Sequence, residues 1–68
     1  MTVATQLKQT LVSLKGAQAT LRLYEQLSRQ QEVRHAYQQA LQTVEAVVGD
    51  LEVRTREIES QEPQYQGS

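Results

Sequence analysis

An all-α antiparallel helical hairpin, dimerising into a four-helix bundle, is the fold this sequence predicts. Three observations predict it. Apolar residues recur at alternating four- and three-residue intervals in each half, that phase breaks once near the middle, and the only Pro of the 68 residues is Pro63. A strand's two-residue period cannot produce such spacing, and nothing before Pro63 forbids helix.

The first helix, about residues 3–27, rests on Val3, Leu7, Thr10, Leu14, Ala17, Leu21, Tyr24 and Ser28. The second, about residues 32–61, rests on Val33, Tyr37, Ala40, Val44, Val47, Leu51, Arg54 and Ile58, with Arg54 the one charged member. Between them the step from Ser28 to Val33 is five residues, which would rotate the two stripes apart on one continuous helix. A turn at about 28–31 restores both. Ser28 with Gln31 also spells a Ser-x-x-Gln capping box that would open the second helix.

Folding about residues 30 and 31 pairs positions whose numbers sum to 61, so Leu14 meets Val47, Leu21 meets Ala40 and Tyr24 meets Tyr37. Small residues then face large ones in several layers, which fills a seam without voids. Arg54, opposite Leu7, would lay its stem along the seam and lift its guanidinium to solvent. Gly49 costs about 1 kcal/mol in a helix interior, but the phase continues from Val47 to Leu51 and the helix is kept whole. Residues 1–62 make one unit. Pro63 then disfavours helix at Glu62, leaving 63–68 as an extended or mobile tail.

Association follows from size. A core this small rarely supplies more than about 3–5 kcal/mol, and with no Cys there is no disulfide to assist it. One edge of the expected seam carries Leu11, Leu41 and Val48, and a second copy is the simplest cover for it. Beside that edge, Lys8, Lys15, Arg22 and Arg29 recur every seven residues, as do Glu45, Glu52 and Glu59 on the second helix. Facing each other between copies, these columns would favour unlike helices as neighbours. A further stripe, Val12, Gly16, Ala19, Leu23 and Leu27, lies on the outer face of the first helix and is a candidate surface for a partner helix.

Chemistry is sparse. Glu32 and His35 have the Glu-x-x-His spacing of ferritin-like metal sites, an alternative reading of the bundle, but the stripe turns both toward solvent, so no metal or other cofactor is assigned. One His and no Cys exclude the usual nucleophile arrangements, and the three Gly make no phosphate loop, so no enzyme is expected. A net charge of −1 gives no drive toward nucleic acid. No apolar run is long enough for a membrane span and Met1 to Gln6 lack a signal peptide's character, so a soluble intracellular chain is expected. Peripheral membrane association through the outer stripe is a further alternative.

The opening Met1-Thr2-Val3-Ala4-Thr5-Gln6-Leu7-Lys8-Gln9-Thr10-Leu11, the segment Ser13-Leu14-Lys15-Gly16-Ala17-Gln18-Ala19-Thr20-Leu21 and the closing Glu62-Pro63-Gln64-Tyr65 resemble the family of domain of unknown function 1657. The stretch from Leu23 to Arg34 matches it less well. The resemblance implies a spore-forming Gram-positive bacterium and a gene neighbouring stage V sporulation membrane proteins that handle dipicolinic acid, or other small membrane proteins. It adds to the helical reading an expected place in sporulation, in the cytoplasm or spore interior, with a sporulation membrane protein as a candidate partner. Tyr65, in the matching tail, is the residue there best placed to touch something external.

Overall fold

The computed structural model describes residues 2–61, which form two helices, α1 (Val3–Leu27) and α2 (Gln31–Gln61), packed against each other. The chain is an all-α helical hairpin. It is a rod with extents of 50 × 15 × 13 Å, one layer of two helices. Pro63, Tyr65 and the expected tail lie outside the described residues.

Each helix end has a local cause. Thr2 is extended, and its Oγ1 accepts from the Thr5 N–H at 3.0 Å, satisfying one of the free donors of the first turn. At the other end Ser28 leaves helical geometry at φ −72°, ψ 131°. Its N–H and its hydroxyl both donate to the Tyr24 carbonyl, at 3.0 and 2.7 Å, which closes α1 and turns the chain. Ser28 therefore ends the first helix, whereas the capping-box spacing had it opening the second. The first bond of α2 runs from the Arg34 N–H to the Gln30 carbonyl at 3.0 Å, so helix starts two residues too late for a Ser28 cap to reach. Gly49 does not interrupt α2.

The seam is rotated from the expected one. The deepest residues are Ala4 (2% exposed) and Leu11 of α1 and Leu41, Val48 and Thr55 of α2. Val3, Tyr24, Val33 and Val47, expected inside, are exposed, as are Thr10, Ala17 and Arg54. The columns Leu7, Leu14, Leu21 and Tyr37, Val44, Leu51, Ile58 belong to both arrangements and are half-buried. The physical reason is a trade: rolling each helix by half a heptad column covers Leu11, Leu41 and Val48 and releases the Arg54 charge. It also sets three cations of α1 across from three carboxylates of α2. Arg54 consequently lies off the seam, and its Nε donates to Asp50 Oδ2 at 3.1 Å on the surface of α2.

Candidate interaction surfaces

The two sides of the seam are chemically opposite. On one side Lys8 pairs with Glu59, Lys15 with Glu52 at 3.0 Å and Arg22 with Glu45 at 4.0 Å. These pairs share a residue-number sum of 67, so one register satisfies all three. Toward the turn Glu25 accepts from Arg34 Nη2 and Gln38 Nε2, both at 3.4 Å, and extends the same polar side. This side is closed by the chain's own charges.

Leu11, Leu41 and Val48, the edge expected to bury against a second copy, are inside this chain's seam. Lys8, Lys15, Arg22, Glu45 and Glu52, expected to pair between copies, pair within the hairpin. The pairing within one chain has a direct cause: the two seven-residue charge columns become neighbours as soon as the chain folds back, at no cost in association entropy.

The other side of the seam is open and apolar. Val3, Thr10, Ala17 and Tyr24 of α1 run along it beside Val33, Ala40, Val47 and Arg54 of α2, over the half-buried Leu and Val columns. Val3 remains 52% exposed, Tyr24 47% and Val47 43%. Arg54 is the one charge in those columns. The hydrogen bond and the charge of Asp50 raise its pKa from the ordinary guanidinium value, so it stays a cation. Tyr24 and Tyr37 touch here as a tilted pair, with ring centroids 5.9 Å apart and planes at 52°. Sequence reasoning assigned these residues to the seam and so missed them as a surface. The signal that reveals them is that their columns lack the repeating charges that flank Leu11 and Leu41.

The outer stripe of α1 is exposed, with Val12 at 72% and Leu27 at 66%, while a Cβ on Gly16 would meet nothing within 4 Å. Ala19 and Leu23 are exposed beside them. Near the turn Glu32 and His35 are also exposed and line a shallow depression with Gln30, Gln31, Arg34 and Gln38. Among the described residues no group of three His, Cys, Asp or Glu is placed to hold a metal ion, and no helix is long and apolar enough to cross a membrane.

A family model described as a protein of unknown function (DUF1657) matches residues 7–54. The match covers all of the turn and the Leu23 to Arg34 stretch, together with most of both helices. No curated protein matches, and no solved structure does.

Proposed function

Starting from the fact that this chain belongs to the DUF1657 family, we propose that it is a non-enzymatic, self-associating helical protein whose role is to assemble. The observation that carries this reading is the contrast between the two sides of one seam. Charges close the first side internally, whereas the second leaves Val3, Tyr24, Val33 and Val47 in water. A rod one layer deep hides few side chains, and a second apolar layer is the usual remedy. Sedimentation equilibrium at micromolar concentration tests it: a dimer or higher oligomer is expected, and a folded species that stays monomeric overturns it.

The family resemblance supports placing this assembly in sporulation, in the cytoplasm or spore interior and beside a sporulation membrane protein. In that reading the outer stripe of α1 is the surface left for the partner. Equal amounts of the protein in growing and sporulating cells would remove the sporulation assignment.

A further inference from the structure

The apolar side of the hairpin carries a projection near one end and a recess near the other. At the free end Val3, Leu7 and Ile58 line a shallow recess, with Arg54, Glu57 and Gln61 around it. Near the turn Tyr24 stands out of the same side, braced on Tyr37. Their positions match from opposite ends. Tyr24 lies three residues before Leu27, the end of α1, and Leu7 lies four residues after Val3, its start.

We infer that a second copy of this chain packs across the apolar side with its turn at the opposite end, each Tyr24 entering the other copy's recess against Arg54. The inference rests on the self-association reading and adds the surface, the orientation and the anchoring residue. Three considerations select this occupant and this orientation. The face is about 38 Å long, from the helical rise, and about 20 Å wide, so each copy offers roughly 700 Å², close to the ~800 Å² per partner of a standard interface. Its one cation, Arg54, finds a complement on an identical face, because a guanidinium gains by lying over an aromatic ring. An aromatic side chain seated in an apolar recess is also the usual anchor of an interface. Copies aligned with their turns together would gather both Arg54 side chains at one end and leave both recesses empty.

The chain has no Cys, so a spin label on Gln30→Cys, at the exposed turn, is unique in each copy. Dipolar spectroscopy should find the labels about 40 Å apart, roughly the length of the 25-residue α1. Labels within roughly 20 Å, whether from hairpins with turns together or from exchanged helices, overturn the orientation while leaving self-association standing. A monomer in sedimentation with no dipolar coupling removes both. Tyr24→Ala is expected to weaken the dimer at least about tenfold, and Tyr24→Phe to keep its affinity within about threefold. Val12→Glu, on the outer stripe, should leave the dimer unchanged. Circular dichroism verifies that each variant is folded. An unchanged dissociation constant for a helical Tyr24→Ala protein, or loss of the dimer in Val12→Glu, overturns the assignment.

Discussion

Gly16 and Gly49 occupy helix interiors where a methyl group would enter open space, with nothing within 4 Å of the added Cβ in either case. Neither is needed for a turn or a close contact inside the hairpin. Glycine costs a helix about 1 kcal/mol relative to alanine through lost backbone entropy. Gly49→Ala is therefore expected to stabilise the fold by about 0.5–1 kcal/mol, raising the melting temperature by several degrees in a domain of this size. Thermal denaturation followed by circular dichroism checks it, and a lowered midpoint would show that Gly49 serves the helix in a way alanine cannot. Ser28 illustrates what a single residue conceals. Its side chain serves either helix end equally well in sequence, and the choice is made by the Tyr24 carbonyl, which takes both of its donors.

For the helices as elements, the seven-residue repeat was legible but its rotation was only half so. Leu7, Leu14 and Leu21 face α2 in either arrangement, so they could be placed at once. The choice between the column Val3, Thr10, Ala17, Tyr24 and the column Ala4, Leu11, Gln18, Glu25 could not be made from apolarity, which favours the first. It depends on which charges come together after folding back, a property of the pair of helices and not of either one. The ion pairs on that side are largely solvated, so each contributes no more than about 1 kcal/mol. Their shared register lets them act together. Lys15→Glu sets two carboxylates opposite each other and should cost about 0.5–1 kcal/mol, most of it recovered when Glu52→Lys is added. Urea titrations of the four proteins in a double-mutant cycle measure this coupling, which should shrink in molar salt. Simple additivity of the two single effects would mean that the pair contributes nothing to the seam.

At the scale of the whole molecule, the decision between a rod and a hairpin was legible in one five-residue step from Ser28 to Val33. The surface available for assembly was not, because it is whatever the seam leaves uncovered, and an error of half a column exchanges inside for outside. The arrangement of charge has a consequence for the intact chain's two arms. α1 carries three cations and one carboxylate, and α2 three cations and six carboxylates, giving formal charges of +2 and −3. Severed at residues 28–30, the arms would repel their own kind and reunite as unlike pairs. Mixing the two peptides in equal amounts should raise helicity above the average of the separate solutions, most strongly at low ionic strength. The connection would then act as a tether that raises local concentration, while the instruction to pair resides in the arms themselves.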